Sequence, residues 1–310
     1  MQTIQIEKKD SNRRLDKFLF QYLNTAPQNF IYKMLRKKNI VLNDNKARGA
    51  EILQANDIIT LFLADETIEK FRQARDIAKA KPLDGIVYED EDLLVINKPV
   101  GLPSHAGIEE KNDHLLARVL YYLQSTNAYN PTDTFVPALC NRLDVNTSGL
   151  VMCGKSLHAL QKLNSLFATH MVDKEYLAVV DGKLGEVGKT RVLKAFYKKN
   201  NKTNIAQVVT QKTDTAVTTA YTIKAISKDD KYTLLAVNPI TGRSHQIRAH
   251  LASIGHPLVG DKKYGGSQIS TGGAQLLHCH RLNIKELEFT APLPKGFQKF
   301  LNKYFQREEM

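Results

Sequence analysis

A chain of 310 residues with 42% hydrophobic side chains exceeds one minimal domain and can bury a substantial core. It holds no run of the ~20 apolar residues that cross a bilayer. Its start, MQTIQIEKKDSNRR, lacks the apolar centre of a signal sequence, so a soluble, cytoplasmic protein is expected rather than a membrane protein.

Lysine and arginine number 44 against 32 aspartates and glutamates, a net charge of +12. Such an excess suits a polyanionic partner, held through phosphate contacts and counterion release. Three cysteines, Cys140, Cys153 and Cys279, form no CxxC pair. They read as reduced thiols, and a zinc site is not expected.

In chain order, Leu15, Phe18, Leu19, Tyr22 and Leu23 recur at helical spacing. They predict an amphipathic helix capped by Ser11 or Asn12. After a turn at Pro27, Phe30, Ile31, Met34 and Leu35 predict a second helix. Lys33, Arg36 and Lys37 share its opposite face, either solvated or set to dock on RNA phosphates. NIVLNDNKA and DIITLFL predict short strands, so residues 1–64 read as a small αβ module. Residues 65–82 are highly charged and read as a linker or exposed helical spacer, with Pro82 at the boundary of a second domain over 83–310.

In that domain residues 86–88 and 93–96 predict a hairpin around the acidic turn 89–92, and residues 156–168 a helix. EYLAVVDG, TAYTIKAI, YTLLAVNP and RLNIKELEFT predict strands. SHQIRAHLASIG predicts a helix closed by Gly255. The fold class is therefore α+β, a small αβ module followed by a mixed, largely antiparallel-sheet domain. The run 189–202 carries six positive and no negative side chains. It reads as a solvated hairpin or as a phosphate-contacting loop with Phe196 and Tyr197 interleaved. His245, His250, His256, His278 and His280 have no HExxH context and are expected in core hydrogen bonds or RNA contacts, not around a metal.

The stretch CNRLDVNTSGLVMCGKS, residues 140–156, sets Arg142 and Asp144 beside a polar turn ahead of an apolar strand. By themselves the two charges read as a structural ion pair or as a working carboxylate held ionised by a guanidinium. An ionised carboxylate can serve as nucleophile or base. Ser148 is a weaker nucleophile candidate, because the surrounding sequence is not GxSxG.

These residues resemble the HRLDxxTSGL signature of the RluA-type pseudouridine synthases. VINKPVGLPSH, HMVDKEYLAVVDG, NPITGRSHQIRAHLASIGHPLVGDKKYGG and LLHCHRL resemble that family's further blocks in the same order, over about 83–290. RRLDKFL, IYKMLRKKNIVLNDNKA and LQANDIITLFL resemble the S4 RNA-binding module, known ahead of such domains. The resemblance implies isomerisation of uridine to pseudouridine within RNA, with ribosomal RNA of the large subunit as the expected partner and no metal or small-molecule cofactor. It implies that Asp144 acts on the ribose, either attacking C1′ or removing the 2′ proton. Tyr176 corresponds to the active-site tyrosine, Arg248 to the basic partner of the aspartate, and Arg142 to an arginine that fills the gap left by a flipped base. Asn141 stands where the signature has histidine, which puts RNA contacts or target choice in doubt. A non-catalytic RNA-binding ribosome assembly factor is the alternative, and a metal-dependent nuclease a third class. Nothing in the sequence calls for an obligate interface, and a monomer is expected.

Overall fold

The computed structural model describes residues 1–74, 80–106, 113–200, 203, 205–209, 215–268 and 274–305. The N-terminal part runs β1 (Gln2–Gln5), a 3-10 turn (Lys8–Asp10), α1 (Leu15–Tyr22), α2 (Gln28–Arg36), β2 (Ile40–Leu42), β3 (Asn45–Lys46), β4 (Ile58–Leu61) and α3 (Asp65–Phe71). Its four strands form an antiparallel sheet in the order β1-β4-β2-β3. The apolar faces of both helices pack on that sheet, with Leu15, Phe18 and Leu19 meeting Ile31, Leu35, Ile40 and Ile59.

Two sequence expectations change here. Helix α1 begins at Leu15 after an extended Arg14, and no side chain caps it. Its first amides are instead taken by backbone carbonyls of a neighbouring loop, Leu15 N to Glu51 O at 2.8 Å and Asp16 N to Gly49 O at 2.9 Å. A Ser11 or Asn12 cap is therefore not needed. Residues 65–71 are not a free spacer: Ile68 is buried in the N-terminal core and the Phe71 ring sits 4.9 Å from that of Phe30. Two apolar residues at i and i+3 suffice to dock so short a helix. Residues 75–79, also within the expected linker, lie outside the described residues.

The remainder runs β5 (Ile86–Glu89), β6 (Leu93–Lys98), α4 (Leu115–Ser125), β7 (Ala138–Leu139), β8 (Ser148–Gly154), α5 (Leu157–Ala168), β9 (Val172–Asp181), β10 (Thr190–Asn200), β11 (Ile205–Val209), β12 (Ala216–Ile226), β13 (Tyr232–Pro239), α6 (Gln246–Ser253), β14 (Leu277–Ile284), β15 (Leu287–Thr290) and α7 (Lys295–Tyr304). Its sheet reads β11-β10-β12-β13-β9-β14-β8-β6-β5, with β15 on β14 and β7 on β8. Among the described residues only β14 and β8 pair in parallel, in keeping with the expected largely antiparallel sheet. Helix α4 was not foreseen, although Leu115, Val119 and Leu123 are its buried i, i+4, i+8 stripe. RLNIKELEFT is a hairpin rather than one strand, because Lys285 turns left-handed at φ 53° between β14 and β15.

The two parts touch through a buried polar lock. Asp10 and Arg13 pair at 2.5 Å, Thr134 Oγ1 donates to Asp10 Oδ1 at 2.6 Å, and Arg13 Nη1 donates to the Thr134 carbonyl at 3.0 Å. In the centre of the large sheet, Gly149 stands at φ 115°, where a Cβ would lie 2.2 Å from the Cys279 carbonyl oxygen. Only glycine allows β8 to approach β14 this closely. That approach sets the loop before β8 one strand away from β9, which carries Tyr176.

Candidate active site

The loop 140–147 leads into β8, and its backbone is fixed on both sides of Asp144. On one side Ser104 Oγ donates to the Leu143 carbonyl at 2.9 Å and accepts from Leu143 N at 3.1 Å. On the other, the Val145 carbonyl accepts from Gly101 N at 2.9 Å and from Lys98 Nζ at 3.1 Å. Lys98 also donates to the carbonyls of Pro99 at 2.9 Å and Leu102 at 2.8 Å and is fully buried. Burial pushes this ammonium down to about 7, while the nearby Asp144 charge pulls the other way. Three carbonyls match the three donors of the charged form. Lys98→Met is therefore expected to lower the unfolding free energy by roughly 3 kcal/mol, by stranding buried acceptors. Urea denaturation measures it, and parent-like stability would show that these bonds contribute nothing net.

Asp144 is about one-quarter exposed. Its Oδ2 accepts from Arg248 Nη1 at 2.9 Å. Arg248 lies on α6 and is itself held by Asp261, which takes Nε at 2.7 Å and Nη2 at 2.9 Å. Asp261 is almost fully buried. Burial works against the guanidinium charge, yet the bonds to Asp261 and then the charge of Asp144 keep it above its ordinary value. The planar fork thus has two donors spent on Asp261 and a third aimed at Asp144.

Tyr176 sits on β9 opposite Val237 and Cys279 and lines the same cavity as Asp144. Burial pushes its phenol well above the usual value, and the neighbouring Cys279 and then Asp144 act in the same direction. The phenol stays protonated at neutral pH, so it can donate a hydrogen bond or stack but is a poor base. The cavity measures ≈ 1540 Å³, larger than the pocket of a small ligand. Exposed Arg142, Lys199, Arg243, Lys262 and Lys263, with half-buried Lys174, give it a cationic lining.

The structure thus gathers Asp144, Tyr176, Arg248 and Arg142 at one cleft. The local Arg142–Asp144 ion pair is not formed: Asp144 pairs with Arg248 across 104 positions, and among the described residues Arg142 makes no ion pair. The turn that follows, with Thr147 N donating to the Asp144 carbonyl at 3.0 Å, leads the chain from Asp144 into β8. Lys33, Arg36 and Lys37 are exposed on and just after α2. Asn141 is a backbone clamp, donating to the Leu150 carbonyl at 3.2 Å and accepting from Met152 N at 2.9 Å. It holds β8 while lining the cleft beside Arg142.

Ser148 is buried against His278, Oγ to Nδ1 at 2.9 Å, and burial lowers that imidazole to about 4. The pair is sealed in the sheet and offers no accessible nucleophile. Among the described residues no three His, Cys, Asp or Glu side chains cluster as metal ligands, and no helix is long and apolar enough to cross a membrane. Residues 190–200 of the basic run form strand β10, with Lys199 at the cleft; 201 and 202 lie outside the described residues.

Comparison with known proteins places the chain in a family. The RNA pseudouridylate synthase family matches residues 92–253, just over half of the chain. The ribosomal large subunit pseudouridine synthase C of Vibrio parahaemolyticus is 29% identical over 320 residues, covering 97% of this chain and 96% of that protein. The protein of the same name from Rickettsia felis is 32% identical, covering 92% and 94%. Among solved structures, human RNA pseudouridylate synthase domain containing 4 superposes with a TM-score of 0.55 at 24% identity. That match covers 71% of this chain and 92% of that one, a likeness of fold.

Proposed function

The chain belongs to the RNA pseudouridylate synthase family, and from that premise we propose that it isomerises uridine to pseudouridine in ribosomal RNA of the large subunit, with Asp144 acting on the ribose. The observation that carries this reading is the meeting of Asp144, Arg248 and Tyr176, from a loop, a helix and a strand, in one cationic cleft. The two bacterial relatives named above are ribosomal large subunit pseudouridine synthases by name, which supports that substrate.

In the reaction the bond from uracil N1 to ribose C1′ breaks and one from C5 to C1′ forms. The C5 proton is lost and N1 gains one, so the balance closes without an oxidant or a cofactor. Arg248 keeps the Asp144 carboxylate oriented and leaves Oδ1 to face the sugar. Tyr176, protonated, packs on the uracil and donates a hydrogen bond. A base must leave its stack to enter the cleft, at a cost of a few kcal/mol, and the exposed Arg142 fills the gap. The test is a map of pseudouridines in ribosomal RNA from a strain lacking this gene. The purified protein should restore the missing positions on that RNA, and a map identical to the parental one would remove the proposal.

The N-terminal module supplies phosphate contacts. Replacing Lys33, Arg36 and Lys37 together with glutamine is expected to weaken RNA binding and to reduce the slope of log K against log salt by about 2–3. Turnover at saturating RNA should hold. Filter binding across a salt series measures the slope, and an unchanged slope would free these side chains of any RNA role.

A further inference from the structure

His245 precedes α6 in a left-handed conformation, φ 55° and ψ 17°, which a residue other than glycine adopts at some cost. That backbone turns its ring inward until only 9% of the side chain is exposed, with Nε2 3.8 Å from Asp144 Oδ2. The other ring nitrogen, Nδ1, lies 3.1 Å from the Tyr264 hydroxyl, and the two rings meet edge to face at 5.8 Å. Tyr264 has one proton, which it donates to the Ala206 carbonyl at 3.0 Å, and it accepts from Ala206 N at 2.9 Å. Its remaining lone pair can only accept. Nδ1 must then carry the imidazole proton, and neutral Nε2 faces the carboxylate bare.

We propose that His245 is a positioning residue for Asp144: fixed by Tyr264 with its proton on Nδ1, its neutral ring leaves the carboxylate with Arg248 as its one cationic partner, and protonation of Nε2 adds a second cation that ties Asp144 down and halts turnover. This rests on the catalytic role proposed for Asp144. The groups facing the ring are Asp144 from its loop, Arg248 from α6, Lys263 from the 260–264 turn and Lys199 from β10. Burial lowers the imidazole below its ordinary 6.5, Asp144 opposes that shift, and the three cations add to it. Activity is accordingly full where the ring is neutral and falls on the acid side of 6.5. Ala206 belongs to β11, the partner of the basic strand β10. The chain Ala206–Tyr264–His245–Asp144 therefore joins the cationic hairpin to the carboxylate.

The test compares pseudouridine formation by the parent protein and His245→Asn from about pH 5 to about pH 8. Asparagine tolerates the left-handed backbone and can still donate to Tyr264, but it does not titrate. The acid limb of kcat should disappear or move to lower pH, with KM unchanged and kcat at high pH reduced by no more than about fivefold. Superimposable profiles would overturn the proposal. A second measurement needs no activity: 15N spectra of the histidines in the parent should show His245 protonated on Nδ1, with a midpoint that moves down in Asp144→Asn. A proton on Nε2, or a midpoint indifferent to Asp144, would overturn it as well. If the parent protein forms no pseudouridine at any pH, the functional reading fails instead, and the spectra still judge the geometry.

Discussion

Asp144→Asn is expected to abolish pseudouridine formation, lowering kcat by at least about 10⁴-fold, while the fold and RNA affinity remain. The change is nearly isosteric. The asparagine oxygen can still accept from Arg248 Nη1, now at 2.9 Å from Asp144 Oδ2. The loop is held by main-chain bonds at Leu143 and Val145 that do not involve the side chain. What disappears is the negative charge and the basicity of Oδ1, which both routes at the ribose require, whether the carboxylate attacks C1′ or removes the 2′ proton. An amide does neither. Single-turnover assays on unmodified ribosomal RNA read the loss, and a parallel binding curve shows that RNA still enters. Wild-type turnover in this variant would sink the assignment of Asp144.

Much of this site is readable in the sequence, and the reasons for the rest are physical. Asp144 stands out because its loop precedes an apolar strand within a few residues. The strand that carries Tyr176 and the close of α6 at Gly255, whose φ is 82°, follow from local periodicity and turn chemistry, whereas Tyr176 as a site residue comes only from the family blocks. Arg248 is different, since nothing local links it to a carboxylate 104 positions away. Only the family blocks suggested that pairing, and the fold supplied it by setting α6 beside the β8 loop. Asp261 went unrecognised because an aspartate after glycine reads as a turn residue, and its burial comes from packing against Arg248. Lys98 was missed for a similar reason, as lysine is almost never fully buried. Its position just beyond the apolar run LLVI, residues 93–96, was the available signal. His245 carried no signal beyond its place in the motif, because a left-handed backbone at a helix start is set by tertiary contacts. The two bonds by which the Asn141 amide matches one acceptor and one donor of β8 depend on the strand packing beside it, which local sequence does not announce.

Asp261→Asn carries the second large expected effect, on stability and turnover together. Asp261 is buried and accepts two parallel bonds from Arg248, at 2.7 and 2.9 Å. An asparagine at this position can accept one of them but turns an amide donor toward the other. A buried guanidinium would then lose its compensating charge, which costs about 3–5 kcal/mol where such pairs have been broken. With the fork released, Arg248 Nη1 is no longer aimed at Asp144. Misplacement of a site group by about 1 Å lowers turnover by about 100-fold. The two effects share one cause, so they should not add to those of Arg248→Met: once the guanidinium is gone, the Asp261 charge has nothing left to orient. Thermal unfolding and kcat for the two single variants and the double variant measure that coupling. Simple additivity, or a parent-like Asp261→Asn protein, would mean that Asp261 does not act through Arg248 and that the carboxylate is oriented by some other contact.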